Sequence, residues 1–264
     1  MKMIAALQAT FAVEDRGQGS PIVFAHGFPL DHSMWDAQLA GLADSHRVIA
    51  PDLRGFGRST VTPGKVTMAD MADDCAAILE TLGVDEPVTF VGLSMGGYVA
   101  WQFALRHPAK LRRLVVCDSR AVADTPQGVE TRLKMAEIVL KHGTESVAEA
   151  MLPKLFAPTT AEQLPQVVDA VRQMILHAAP EGVAAAQRGM AERPDVTGEL
   201  PQLSVPTLIL CGTHDAISPL AEMRTIAEQI PGAKLVEIPN AGHMAPMENP
   251  TAVNDALRTF LAES

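Results

Sequence analysis

The 264-residue sequence predicts an α/β fold, a mostly parallel sheet covered on both faces by helices and carrying one helical insertion. Three observations predict it. Short, wholly apolar runs alternate with stretches whose apolar residues recur at helical spacing. A composition of 47% hydrophobic and 20% charged residues, with a mean hydropathy of +0.12, supports a large core and excludes wholesale disorder. From about residue 121 to residue 197 the alternation stops, leaving several helical patterns and no convincing strand.

In chain order, Phe11–Glu14 reads as a first strand. Ile22–Ala25 is a compact apolar run ended by His26-Gly27, and Val48–Ala50 ends at Pro51. Between them Trp35, Leu39 and Leu42 fall at helical spacing. The clearest helix runs from Thr67 to Leu82. Thr67 and Asp70 form an N-terminal capping pair, Met68, Met71, Cys75, Ile78, Leu79 and Leu82 make one stripe, and Gly83 stops it. Strand Val88–Val91, a helix from Met95 to about Arg106 and strand Leu114–Cys117 follow. In the inserted stretch, helical patterns cover Val129–Leu140, Ser146–Leu155 and Leu164–Leu176, broken by Pro153, Pro158, Pro165 and Pro180. This stretch is expected to lie over one sheet edge. Strand Thr207–Cys211, a helix opening at Ser218-Pro219, strand Leu235–Ile238 and a last helix after Asn249-Pro250 complete the alternation.

Charge narrows the function. Lysine and arginine total 21 against 31 aspartate and glutamate, a net −10 with no basic run, a poor match for nucleic acid or anionic lipid. No apolar run approaches the ~18–20 residues that cross a bilayer. Met1–Val13 has the early lysine and apolar residues of a signal peptide, but Gln8 and Thr10 interrupt it. Cys75, Cys117 and Cys211 are odd in number, far apart and without a CxxC pair, as in a reducing compartment; a cytoplasmic address is expected. There is no HExxH, no clustered Cys/His pattern, no P-loop and no complete GxGxxG, so neither cofactor nor metal is expected.

The sharpest chemical signal is Gly92-Leu-Ser94-Met-Gly96, directly after one predicted strand and directly before a helix. Such a turn strains the serine backbone and leaves no room for bulky neighbours, hence the flanking glycines. It lifts the hydroxyl to a helix N-terminus, where backbone N–H groups favour developing negative charge. The bland reading is a glycine-rich turn with a bystander serine. A serine nucleophile needs a base, and the base an orienting acid. Of eight histidines, His243 sits in a short loop after strand Leu235–Ile238. His107 and His142 read as helix C-terminal residues, and His32, His46 and His177 carry no motif. His214 neighbours the candidate acid and is a lesser rival base. Asp215, ending Gly212-Thr-His-Asp215 after strand Thr207–Cys211, is the candidate acid, and Asp118 after Leu114–Cys117 is its rival. The oxyanion donors are expected to be the backbone N–H groups of Phe28 and Met95, with His26 structural.

Together, His26-Gly-Phe-Pro29, Asp52-Leu-Arg54-Gly55-Phe-Gly57-Arg-Ser59, the Gly92–Gly96 turn, Gly212–Asp215 and Gly242-His243 resemble the α/β-hydrolase fold along nearly the whole chain. Within it the sequence is similar to small bacterial esterases, 3-oxoadipate enol-lactonases and cofactor-free haloperoxidase-like enzymes, and Arg193-Pro194-Asp195 looks like the lactonase and esterase branch. The resemblance implies a core of residues 1–120 and 198–264 and a four-helix cap at 121–197. The expected reaction is hydrolysis of a small-molecule carboxylic ester through an acyl-enzyme on Ser94, with His243 as base and Asp215 as orienting acid. Enol-lactone hydrolysis is the alternative, since Arg132, Arg172, Arg188 or Arg193 could hold a substrate carboxylate. Perhydrolysis is a side activity suggested by Pro29, and a ligand-binding receptor on the same fold is the reading from another class. Met135, Met151, Met174 and Met190 are candidates for a pliable pocket lining. The sequence leaves oligomeric state open.

Overall fold

The computed structural model describes residues 1–263. Eight strands form one sheet: β1 (Lys2–Ala6), β2 (Ala9–Arg16), β3 (Pro21–Ala25), β4 (Arg47–Pro51), β5 (Val88–Leu93), β6 (Leu111–Cys117), β7 (Thr207–Gly212) and β8 (Lys234–Ile238), in the order β1-β2-β4-β3-β5-β6-β7-β8. From β4 to β8 all neighbours are parallel, and β2 runs antiparallel to both β1 and β4. Every residue of β3, β5 and β7 is buried, as a sheet covered on both faces requires. The covering helices are α1 (Asp36–Leu42), α2 (Met68–Thr81), α3 (Met95–Arg106), α9 (Leu220–Gln229), α10 (Ala245–Glu248) and α11 (Pro250–Leu261). Among the described residues no helix is long and apolar enough to cross a membrane.

The N-terminus differs from the expectation of one strand at Phe11–Glu14. It is a hairpin, with β1 and β2 joined through Leu7 and Gln8, both at positive φ (44° and 60°). A two-residue turn of this kind favours glycine or asparagine, and neither residue announces it. Gln8 and Thr10, which interrupt the apolar stretch, are therefore a turn residue and a strand residue. The clearest predicted helix is capped as its sequence indicates. Thr67 Oγ1 accepts from the Asp70 amide while Asp70 accepts from the Thr67 amide, and Gly83 follows α2 at φ +65°.

Between β6 and β7 lie α4 (Pro126–His142), α5 (Glu145–Leu155), α6 (Thr160–Gln163), α7 (Pro165–His177) and α8 (Pro180–Ala191). The count is five rather than four because α6 is a single extra turn. Pro165 and Pro180 begin helices instead of breaking them, since a first helical residue needs no amide hydrogen. The Val196 amide donates to Ala121 O (2.9 Å), so the segment leaves and rejoins the sheet at one point.

This helical segment meets the core backbone to backbone. A Cβ on Gly182 of α8 would lie 1.9 Å from Gly55 O, and one on Gly189 would lie 1.7 Å from Val66 O. Gly182→Ala is therefore expected to destabilise the protein by about 1–3 kcal/mol and lower Tm by several degrees. Gly198→Ala, where an added Cβ meets nothing within 4 Å, is the control and leaves Tm nearly unchanged in a thermal melt. Equal effects from the two would contradict this packing.

Candidate active site

The candidate residues gather at the carboxyl ends of neighbouring parallel strands, where ligands of open α/β sheets collect. Ser94 follows β5 at φ +53°, ψ −111°, a left-handed backbone outside the helical region, and α3 begins at the next residue. The reversal is tight. A Cβ on Gly92 would stand 2.1 Å from Gly96 O, and one on Gly96 would stand 2.1 Å from Ala25 O. The Ser94 amide donates to Cys117 O (3.0 Å), and Ser94 O accepts from Ser119 Oγ (2.7 Å), which ties the turn to the end of β6. The side chain is half-buried.

Asp215 occupies the turn after β7. Its Oδ1 accepts from the amides of Ile217 (2.7 Å) and Ser218 (3.0 Å), and Oδ2 accepts from His243 Nδ1 (2.8 Å). Burial alone would raise the Asp215 carboxyl, but the hydrogen bond and charge of His243 and the two amides outweigh it and hold it below the usual carboxylate range. An ionised carboxylate only accepts, so Nδ1 carries the imidazole hydrogen and Nε2 is left free to act as a base. Both residues are buried. Asp215 and His243 are thus brought together, whereas Ser94 Oγ makes no hydrogen bond to His243 among the described residues. His214 is exposed, and its amide is used by Ala241 O. Asp118 is wholly buried beside Asp215, not beside the imidazole, and its Oδ1 accepts from the Gly212 amide (2.7 Å).

Met95 directly follows Ser94, and Gly27, next to Phe28, lies against the serine turn, where an added Cβ would stand 3.7 Å from Ser94 Cβ. The Phe28 amide donates to no residue among those described, and the Met95 amide is the first of α3, which has no intrahelical acceptor. Both are therefore free to face an oxyanion. His26 is buried and bridges two backbone groups: Nδ1 donates to Gly27 O (2.9 Å) and Nε2 accepts from the Leu53 amide (2.9 Å). It braces the loop and takes no part in the acid–base pair.

A sequence model described as the alpha/beta hydrolase fold matches residues 20–250. The chain belongs to this family. This alpha/beta hydrolase superposes on a thermophilic esterase from Thermogutta terrifontis with a TM-score of 0.96 and 49% identity, covering 98% of this chain and 97% of that one. It superposes on an enol-lactonase from Burkholderia xenovorans with a TM-score of 0.92 and 29% identity, covering 99% and 100%. It is 28% identical to a 3-oxoadipate enol-lactonase of Acinetobacter baylyi over 258 residues, covering 98% of this chain and 93% of that one.

Two side chains of this hydrolase gave no signal in the sequence. Glu248, in α10, is buried, and its oxygens accept from the amides of Ala157 and Gly242 (2.7 Å each) and from Thr160 Oγ1 (2.5 Å). One carboxyl group therefore holds the helical segment against the loop that carries His243. Next to Asn249-Pro250, a glutamate reads as a solvated acid at a helix start. His32, without a motif, is half-buried and pairs with Asp52, Nδ1 to Oδ1 at 2.6 Å.

Each yields an expectation. Glu248→Gln puts an NH2 against a donor, which is expected to destabilise the protein by about 2 kcal/mol and reduce kcat; unchanged Tm and turnover would exclude the clamp. For His32, burial favours the neutral ring, but the hydrogen bond and charge of Asp52 outweigh it and raise its pKa above 6.5. A raised pKa contributes stability that is complete below the unfolded value and disappears as pH rises through the folded one. In urea unfolding, the deficit of His32→Gln is thus expected to be larger near about pH 6 than near about pH 9, and a deficit that grows with pH contradicts the pairing.

Proposed function

We propose that this hydrolase cleaves carboxylic esters of small to medium acyl groups through an acyl-enzyme, with Ser94 as nucleophile, His243 as general base and Asp215 as its orienting acid. The observation that carries the reading is the buried His243–Asp215 hydrogen bond, which leaves Nε2 as the free base, at the same carboxyl edge of the sheet as the left-handed turn of Ser94. His243 takes the Ser94 proton as Oγ attacks the ester carbonyl. The amides of Phe28 and Met95 receive the oxyanion, each such donor contributing about 3 kcal/mol to the transition state. His243 then protonates the departing alcohol and activates the water that releases the acid. Residues 121–197 act as a cap over this centre.

The arrangement of the cap arginines favours a neutral acyl group over a lactone bearing a carboxylate. Arg132 and Arg193 both pair with Asp124, and Arg193 also stacks on Tyr98, 4.3 Å from its ring centroid. Arg188 donates to Gly64 O (2.8 Å), and the exposed Arg172 lies 4.0 Å from Glu145. Arg132, Arg188 and Arg193 are thus engaged with groups of the protein itself, and Arg172 stands out in solvent. The likeness to the Thermogutta terrifontis esterase supports the same choice, while the enol-lactonase relatives keep lactone hydrolysis as the competing outcome.

Rates on p-nitrophenyl acetate and butyrate, set beside those on 3-oxoadipate enol-lactone, decide the substrate class. A kcat/KM at least about tenfold higher on the esters is expected, and the reverse ratio assigns the lactone. Ser94→Ala is expected to lower kcat by about 10⁴-fold or more, with no acyl-enzyme burst. A Ser94→Ala protein with ordinary turnover overturns the mechanism.

A further inference from the structure

Asp118 is a buried acid that the catalytic reading leaves without a task. It follows β6, which lies between β5 carrying Ser94 and β7 carrying Asp215. Its backbone sits at φ +45°, its amide donates to Leu210 O (2.9 Å), and the residue has no exposed surface. Oδ1 accepts from the Gly212 amide at 2.7 Å, whereas Oδ2 is buried with no hydrogen-bond partner. A carboxylate oxygen of Asp118, one of Asp215 and Cys211 Sγ all lie within 4.8 Å of one another.

An unpaired, buried anionic oxygen beside a second carboxylate is a costly arrangement on two counts. The oxygen lacks a donor, and two adjacent carboxylates out of water cannot both remain ionised. The groups around it offer no cation. Cys117 and Cys211 are thiols kept protonated by burial and by the neighbouring acids, Glu248 adds a further acid, and His243 is committed to Asp215. Cys211 Sγ is directed at the carbonyls of Gly212 and Ser218 (3.4 and 3.6 Å), and a thiol is only a weak donor to Asp118. A proton on Asp118 Oδ2 removes both difficulties, because it turns the orphaned acceptor into a donor with a carboxylate in reach.

We propose that Asp118 is held as a neutral carboxylic acid whose Oδ2–H donates to the Asp215 carboxylate, making it a positioning residue for the Asp215–His243 pair. The proposal rests on the catalytic reading above. Burial first, and then the Asp215 charge, push the Asp118 carboxyl well above the usual carboxylate range, in the same direction. Asp215 then receives four donors: the amides of Ile217 and Ser218, His243 Nδ1 and Asp118 Oδ2. So held, the acid stays ionised and cannot rotate away as His243 gains and loses its second proton.

Asparagine is the neutral isostere of this acid. Its carbonyl can accept from Gly212 and its NH2 can donate to Asp215, whereas alanine can do neither. For p-nitrophenyl butyrate, Asp118→Asn is expected to retain kcat within about threefold of wild type, with the acid limb of the kcat/KM–pH profile unmoved. Asp118→Ala is expected to lose kcat by about 10- to 100-fold with KM little changed. An acid limb in Asp118→Asn displaced to lower pH by about one unit would show that a negative charge had been removed, and would overturn the proposal. Equal kcat in the alanine and asparagine proteins would overturn it as well. Infrared spectroscopy supplies a readout that needs neither turnover nor the alanine variant to fold. A buried protonated-carboxyl C=O band at neutral pH, present in wild type and in Ser94→Ala and absent from Asp118→Asn, supports the assignment. Its absence from wild type refutes it even where Ser94→Ala upholds the mechanism.

Discussion

The rest of the site depends on how closely three stretches of backbone approach at the end of β5. Ser94 can stand in a left-handed conformation only because Gly92 and Gly96 let the strand, the helix start and the end of β3 come within contact of one another. The neighbouring chain reinforces the bend: Cys117 O and Ser119 Oγ bond the amide and carbonyl of the serine itself. A strained residue persists when its surroundings over-determine it. Here the surroundings are the central, fully buried strands, the most rigid part of the molecule.

Around that fixed point the polar groups are arranged as braces. His26 joins Gly27 O to the Leu53 amide, His32 joins Asp52, and Glu248 joins the helical segment to the His243 loop. Each is buried or nearly so, and each links two loops distant in sequence. The loops at the carboxyl edge therefore form a connected polar layer above an apolar sheet. Removing one brace leaves buried donors or acceptors unpaired in a medium of low dielectric, which explains why charge-bearing side chains are found in so dry a place.

Much of this was legible in the sequence, for physical reasons that differ by element. Strands β3, β5, β6, β7 and β8 and helices α2 and α3 declare themselves because each carries its own periodicity and its own stop signals. Ser94 stands out because the turn demands glycine on both sides, a steric requirement written locally. His243 and Asp215 were singled out from their place after a strand, and in the structure a hydrogen bond joins them. The β1–β2 hairpin escaped because Leu7 and Gln8 adopt positive φ without the usual turn residues. Glu248 and His32 escaped for another reason. Their roles come from partners 91 and 20 residues away, Ala157 and Asp52, and no local pattern distinguishes a buried glutamate or histidine from a solvated one. Asp118 and Asp215 were both visible as acids after strands, and only the three-dimensional structure shows that the His243 imidazole bonds Asp215.

The hydrogen bond from Val196 to Ala121, where the helical segment departs and returns, has an architectural consequence. Strands β6 and β7 are already paired, so everything between these two residues is a closed excursion that spans no gap in the sheet. The entropy of closing such a loop grows only slowly with its length. Helices there can vary in length while strand register below is untouched, so long as the close approaches at Gly182 and Gly189 and the contacts of Glu248 are kept.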